Sequence, residues 1–367
     1  MTKPPTIFIY EHISGGGWPA GELPRGLTIE GLGMLWSVLS DFQSWGAART
    51  VTTLDDRIID LIGWKKIKQF PADEVVRVHP GQSEKMFRLL ISRSDAVLII
   101  APETDDVLAR LTEIVECAGI PLLCSNSAAV RVASNKASCD QIFRQAGLPT
   151  PATRLTSFEE AGQAASELGY PLVIKPLDGT GCEGVCLATN SSEFDKAIAL
   201  LRIVTKLDEF LLQAFIQGTH ASVSLLAAED GAVPLSLNKQ EIETGLPFRY
   251  SGGLIPLEHP AAKRAYDLAI AAVMAVPGLR GYIGVDMILT QDQAWLIEIN
   301  PRITTSYVGL HRILSQNLAC AIWDACFKNV LPDPISLNGS VAFSKDNFEL
   351  WSNESNLKVS NSGRQSD

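Results

Sequence analysis

Over its first third the chain alternates short apolar runs with amphipathic stretches. Residues 6–11, 49–54 and 96–101 read as strands, the last, "AVLIIA", being an apolar run bounded by polar positions. Residues 26–45 and 84–92 carry apolar residues at helical spacing. "ETDDVLARLTEIVECAG" places acids first, then apolar residues at 107, 108, 111, 114 and 115, then Gly119, so it reads as a helix with a C-terminal stop. "IPLLCS" predicts one more short strand, and "NKASCDQIFRQAGLPTP" a helix stopped by Gly147. Strands alternating with helices imply a parallel sheet covered on both faces.

The pattern changes after residue 151. "TSFEEAGQAASELGYP" predicts a helix opened by Thr156 or Ser157, with Glu159 and Glu160 in its first turn. "PLVIKPL" reads as a strand, "DGTGCEGV" as a glycine-rich loop, "CLATN" as a returning strand and "SSEFDKAIALLRIV" as a helix. "EFLLQAFI", "HASVSLLAAEDGAVPLSLNKQEI", "GYIGVDMIL" and "AWLIEIN" predict a second, mostly antiparallel sheet. The fold class is therefore α/β followed by α+β, with units at 1–125, 126–205 and 206–332. The polar stretch 333–367 is expected to be a mobile tail.

Composition narrows the function classes. Of 367 residues, 46 % are hydrophobic, which excludes a disordered chain. No apolar run approaches the ~20 residues of a membrane span. "MTKPPTIFIYEH" does not resemble a signal peptide, and seven cysteines at irregular spacing suit a reducing compartment, so the expectation is a cytoplasmic protein without a membrane partner. The sequons at Asn190 and Asn338 then carry no meaning. A net charge of −10 argues against nucleic acid as a partner.

The most informative stretch is "GYIGVDMILTQDQAWLIEINPR". Two strands flank a turn at Thr290–Gln293, and pairing symmetric about Asp292 sets Asp286 opposite Glu298. Glu298 and Asn300 share a face. Opposed residues have Cβ atoms about 5 Å apart, so two carboxylates there repel unless a hard divalent cation joins them. The plain alternative is one exposed carboxylate. Lys175 stands near the end of an apolar strand, just ahead of Gly179, Gly181 and Gly184. Such glycines let backbone N–H groups approach an anion, although alone the stretch could be a plain hairpin. It is not a Walker loop, because the lysine precedes the glycines.

Lys136, Lys175 with its loop, "FLLQAFIQG" and the Asp286, Glu298, Asn300 set occur in one order. In that order the chain resembles the ATP-grasp superfamily over roughly residues 5–330. The resemblance implies a pre-ATP-grasp, Rossmann-like domain at 1–125, a subdomain with a lid at 126–205 and a metal-bearing subdomain at 206–332. It implies ATP with Mg²⁺ or Mn²⁺. Lys136 and Lys175 would contact the phosphates, Lys175 also lying near the adenine. Gly179, Thr180, Gly181 and Gly184 would be the lid. Gln213 would meet the adenine amino group, with the backbones of Ala214 and Ile216 reading its edge. Asp286, Glu298 and Asn300 would hold the metal, and Arg302 would steady the transferred phosphate. His220 stands where many members carry a glutamate for the ribose, and a surface histidine is the alternative there.

The opening "SGGG" lacks the G-x-G-x-x-G order. In a pre-ATP-grasp domain that loop faces the acceptor, so Glu11 and Ser14 are substrate candidates, with a tight turn as the alternative. "NKQEIE" and "FRYSGGLIP" add Lys239, placed with Arg302 as catalytic, and Arg249 and Tyr250 as substrate-side residues, with loop scaffolding as the alternative. "NPRITTSYVGL" adds Tyr307. Cys182 and Cys186 lack a second pair and read as strand and loop residues; Trp36, Trp45 and Trp64 read as packing.

Within the superfamily, "TLDDR", "APETDDVL", "HASVS" and "EINPRITTSYVGL" resemble the tyramine–L-glutamate ligase group of methanofuran biosynthesis and its bacterial relatives in methylofuran-using one-carbon metabolism. The implied activity joins a small-molecule carboxylate to an amine through an acyl phosphate. A ligase for an amino-acid acceptor and a non-catalytic ATP-binding module stay open. A Rossmann oxidoreductase is disfavoured by the missing fingerprint. The sequence leaves the oligomeric state open, a homodimer included.

Overall fold

The computed structural model describes residues 3–58, 69–177, 179, 181–333 and 335–345, and the backbone of 359–360. Thr180 and Trp64 lie outside the described residues.

The first unit is a parallel sheet in the order β3-β2-β1-β4. Its strands are β1 (Thr6–Glu11), β2 (Arg49–Asp55), β3 (Glu74–Val78) and β4 (Ala96–Ile100). Every residue of β1 and β4 is buried, as expected of strands covered on both faces. The covering helices are α1 (Arg25–Trp45), α2 (Ser83–Ile91) and α3 (Val107–Cys117). Gly46 ends α1 at φ 67, a left-handed position that glycine adopts without strain, and its N–H reaches Phe42 O. The strand expected at "IPLLCS" shrinks to one bridge between Leu122 and Val97. Two helices follow, α4 (Ser127–Ser134) and α5 (Lys136–Gln145). Asn135 caps α5 by accepting from the N–H groups of Ala137 and Ser138, which fixes Lys136 as its first residue.

The second unit is an antiparallel sheet in the order β5-β8-β6-β7, formed by β5 (Thr153–Ser157), β6 (Leu172–Pro176), β7 (Cys186–Ala188) and β8 (Glu209–Ala214). Its helices are α6 (Ala161–Leu168) and α7 (Ser191–Val204). Thr156 and Ser157 belong to β5 rather than opening a helix. The strand wins because Thr153 and Thr156 turn inward and pair with β8, and the helix starts only after a turn.

The third unit is a larger sheet, β13-β12-β9-β10-β11-β14-β15. Its strands are β9 (Thr219–Ala227), β10 (Ala232–Glu243), β11 (Arg249–Ile255), β12 (Gly281–Leu289), β13 (Ala294–Asn300), β14 (Ser340–Ser344) and the short β15 (Val359–Ser360). Helix α8 (Ala262–Met274) joins α4 and α5 against the face bearing Val223, Val285 and Leu296. On the other side α9 (Ser306–Ile313) and α10 (Leu318–Trp323) share a core with α1, where Leu35, Leu39 and Phe42 meet Tyr307, Leu310 and Ile322. The first and third units are thus welded through one apolar core. One alternative falls and one expectation is corrected here. Loop scaffolding at "FRYSGGLIP" gives way to β11. The segment expected as a tail supplies β14, which pairs with β11 and buries Val341 completely.

Candidate active site

The β12–β13 hairpin sets the register of the site. Thr290 donates its N–H to Gln293 O at 2.9 Å across the turn. Asp286 lies opposite Glu298, the pairing that the sequence pattern requires, and a bulge follows immediately. The Asp286 carboxylate accepts from two amides, Gln240 Nε2 at 3.1 Å and Asn300 Nδ2 at 3.2 Å. Burial, then the neighbouring Glu298, pushes its carboxyl well above the usual range. Burial acts on Glu298 in the same sense, but the ammonium groups of Lys136 and Lys175 outweigh it and hold that carboxyl down. One member of the pair is therefore neutralised by lysines, while the other has only amides.

The two lysines come from different elements. Lys136, at the start of α5, stands 3.4 Å from Glu298 Oε2 and donates to Gly179 O at 3.1 Å. Lys175, on β6, donates to Gln213 Oε1 at 2.8 Å. Gln213 in turn donates to Thr153 Oγ1 at 2.8 Å, so its orientation is fixed. Burial brings the Lys175 ammonium down to about 8, with Glu298 opposing. Two buried ammonium groups around one carboxylate leave positive charge in excess, which suits a polyphosphate.

Two cavities meet at this pair. The first, about 830 Å³, is lined by Lys136, Lys175, Gln213, Ala214, Ile216 and His220, with Phe248 and Met287 among its apolar walls. Gly179 and Gly181 border it at φ 118 and 66. Gly184 borders neither cavity; it packs so that an added Cβ would meet Val204 Cγ1 at 3.1 Å. The Ala214 N–H is already donated to Ala152 O, so only its carbonyl can serve a ligand. His220 lies edge-on to Phe248, and burial lowers its basicity. A neutral imidazole there can still accept or donate one hydrogen bond.

The second cavity, about 1020 Å³, opens towards the first unit. Its lining includes Glu11, Glu30, Tyr250, Asn300, Arg302 and Thr305. Asp286, Glu298, Gln240 and Cys182 line both cavities and form the wall between them. Arg302 donates from Nε to Glu103 Oε1 at 2.8 Å, and Glu103 Oε2 is buried without a partner among the described residues. Glu11 accepts from Ile13 N–H and from both N–H and Oγ of Ser14, yet burial still raises its carboxyl.

Beside Gly184, four expected site residues are placed otherwise. Lys239 pairs with Glu241 on the outer face of β10, because Asn238 and Gln240 take the inner face and strand side chains alternate. Arg249 is exposed at the start of β11 and touches neither cavity. Tyr307 is wholly buried and donates its hydroxyl to Asp41 Oδ2 at 2.6 Å, which ties α9 to α1. Ser14 is spent on Glu11 and does not reach the cavity. The glycines of "SGGG" serve packing: a Cβ at Gly15 would sit 2.7 Å from Thr53 Oγ1. Gln240, Glu30 and Glu103 are not singled out by the sequence pattern, and Cys182 is read there only as a strand or loop residue. Only the alternation of "NKQEIE" carried a signal, for Gln240.

The donor set fits a small hard cation. Two carboxylates and a carboxamide offer oxygen ligands, with room for phosphate oxygens and water. Asp286 already gathers two amide donors where a cation would sit, and half a turn of the Asn300 amide exchanges a donor for an acceptor. Among the described residues no three His, Cys, Asp or Glu side chains assemble into a metal cage.

A family profile described as an ATP-grasp domain matches residues 133–306, and one described as a pre ATP-grasp domain matches residues 48–130. The chain thus carries an ATP-grasp domain preceded by a pre ATP-grasp domain. It is 33 % identical over 243 residues to the tyramine–L-glutamate ligase of Methanocaldococcus jannaschii, covering 65 % of this chain and 66 % of that one. The Methanocaldococcus fervens protein of the same name is 34 % identical over 217 residues, with 59 % and 61 % covered. The matched stretch thus spans less than two thirds of either relative. A crystal structure of an ATP-grasp superfamily protein from Archaeoglobus fulgidus superposes with a TM-score of 0.66 at 24 % identity, covering 92 % of this chain and 91 % of that one. No helix among the described residues is long and apolar enough to cross a membrane.

Proposed function

We propose that this chain is an ATP-dependent ligase that joins a carboxylate to an amine through an acyl phosphate. The observation that carries the reading is the wall of Asp286 and Glu298 shared by two cavities, one cationic and one bearing Arg302 and carboxylates. Amide formation from free acid and amine is uphill in water, so the acid must first be activated. The carboxylate oxygen takes the γ-phosphoryl group of ATP, and ADP leaves. The amine then attacks the acyl carbon, loses a proton, and inorganic phosphate departs with that carboxylate oxygen.

Each residue has a task in this scheme. Lys136 and Lys175 bind phosphate oxygens and neutralise charge that grows during transfer. Gln213, oriented by Lys175 and Thr153, and Ile216 receive the adenine. Gly179 and Gly181 let the lid backbone approach the phosphates and exclude water. Asp286, Glu298 and Asn300 would hold Mg²⁺ or Mn²⁺, which would supply positive charge against the phosphates. Arg302, braced by Glu103, faces the acyl phosphate. No side-chain nucleophile takes part; the Cys182 thiol on the wall is pushed up to about 12 by burial and stays protonated.

L-glutamate and tyramine are the first pair to try, because the relatives named above are tyramine–L-glutamate ligases. That pair would place the enzyme in methylofuran biosynthesis. The test is ADP release with each component omitted in turn, alongside mass spectrometry of the product. The reading requires an amide stoichiometric with ADP and no turnover without amine. Full-rate ADP release with carboxylate alone, or no amide with any amine, overturns it. An amide formed only with an amino-acid acceptor leaves the ligase and removes tyramine.

A further inference from the structure

A primary amine that belongs to the protein stands against two residues lining the second cavity, Glu30 and Gly181. Just past β14, Lys345 runs back across the start of α1: a Cβ placed on Gly26 would lie 3.9 Å from its Cε. Its ammonium stands 2.8 Å from Glu30 Oε1, and a Cβ on the lid residue Gly181 would lie 3.9 Å from Nζ. Glu30 lines the cavity, and its side chain is only 14 % exposed. Among the described residues the buried Oε1 has no aligned hydrogen-bond donor, so the contact with Lys345 is an ion pair at close range.

The other carboxylates around this space are committed. Glu11 is wrapped by Ile13 and Ser14. Asp286 and Glu298 form the wall, engaged by amides and Lys136. Glu103 braces Arg302. Among the described residues Glu30 is paired with one flexible side chain, Lys345, whose loss would leave no backbone element unsupported. The ammonium it binds is the same group that an alkylamine presents, with three donors on a compact charge.

We propose that Glu30 receives the ammonium of the amine substrate, and that Lys345 is a tethered stand-in that occupies this pole until the substrate displaces it. This rests on the ligase reading above. A tethered competitor at high effective concentration weakens the apparent affinity for free amine. Once displaced, Lys345 regains hydration outside the cavity. The subsite therefore selects primary alkylamines over neutral analogues of the same shape, and Lys345 sets how much amine is needed.

Calorimetric titration of the full chain, saturated with Mg–ADP, tests this with tyramine, n-butylamine and tyrosol, the hydroxyl analogue of tyramine. Both amines should bind, and tyrosol about tenfold or more weaker, as expected when a charged hydrogen bond is lost. Glu30→Gln should weaken tyramine by a similar factor, and Lys345→Met should tighten it several-fold. The double variant Glu30→Gln, Lys345→Met leaves no buried unpaired charge, so it guards against misfolding; it should still fail to bind tyramine while melting near the wild type. Wild-type affinity in the double variant, no amine binding to the wild type well above millimolar concentration, or weaker binding to Lys345→Met would each overturn the proposal. If amines bind as described but no amide ever forms, the ligase reading fails and the subsite stands. If amide forms and Glu30→Gln leaves tyramine binding unchanged, the subsite fails alone.

Discussion

Asp286→Asn separates a metal-binding carboxylate from a structural one. In the free protein Asp286 faces Glu298 and receives only amide donors. Two charges with Cβ atoms about 5 Å apart at an effective dielectric near 20 repel by about 3 kcal/mol. That is a ceiling, because burial and Glu298 push the Asp286 carboxyl up, and a proton held there removes part of the repulsion. The neutral amide should thus leave the free protein as stable as before or more so. The bound state behaves oppositely. A ligand at a hundredfold its Kd stabilises by about 2.7 kcal/mol. At about 2.1 cal/mol/K per residue, the 367 residues give an unfolding entropy of about 0.8 kcal/mol/K. The wild-type Tm should then rise by about 3.5 °C with saturating Mg–ATP. The assay is thermal melting of both proteins, free, with ATP and EDTA, and with Mg–ATP. The variant should keep the small metal-free shift and lose the increment that Mg²⁺ adds. A variant that melts several degrees below the free wild type, or that keeps the increment, would refute the reasoning.

Lys175→Met should weaken ATP about tenfold or more, since a charge-assisted phosphate contact is lost, without lowering the Tm of the free protein; unchanged affinity in a fluorescent-nucleotide titration would remove Lys175 from the site. Lys239→Ala and Arg249→Ala should keep kcat/KM within about twofold of wild type, because neither side chain reaches a cavity, and a loss beyond about tenfold in steady-state assays would restore the sequence-based expectation. Tyr307→Phe should cost about 1–2 kcal/mol by leaving the buried Asp41 short of a donor, a fall in Tm of about 2 °C. Its KM for amine should not move; a raised KM at unchanged Tm would make Tyr307 a substrate contact after all.

The parts of the site legible in the sequence are those fixed by local rules. A tight turn and alternation determine that Asp286 meets Glu298, and a capping asparagine places Lys136 at the head of α5. The apolar flanks of Lys175 mark it as buried on a strand. What stayed hidden depends on distant partners. Arg302 finds Glu103 across 199 positions, and nothing near either residue announces the other. β11 carries two adjacent glycines and reads as loop, yet β10 and β14 on either side make it a strand. β14 lies in a polar stretch and owes its order to that same pairing. The charge of Lys239 says nothing of which way it faces, because the facing of β10 is set by the buried contacts of Asn238 with Ser222 and Ser224.

The central claim is that phosphate is transferred across the Asp286–Glu298 wall onto a carboxylate oxygen. Turnover with a carboxylate substrate labelled with ¹⁸O in its reacting carboxyl group tests this directly, with L-glutamate as the first probe and the released inorganic phosphate analysed by mass spectrometry. One ¹⁸O atom should appear in each phosphate formed with amide, because the C–O bond of the acyl phosphate breaks when the amine attacks. Phosphate carrying oxygen from solvent instead, at a rate matching amide formation, would contradict the account.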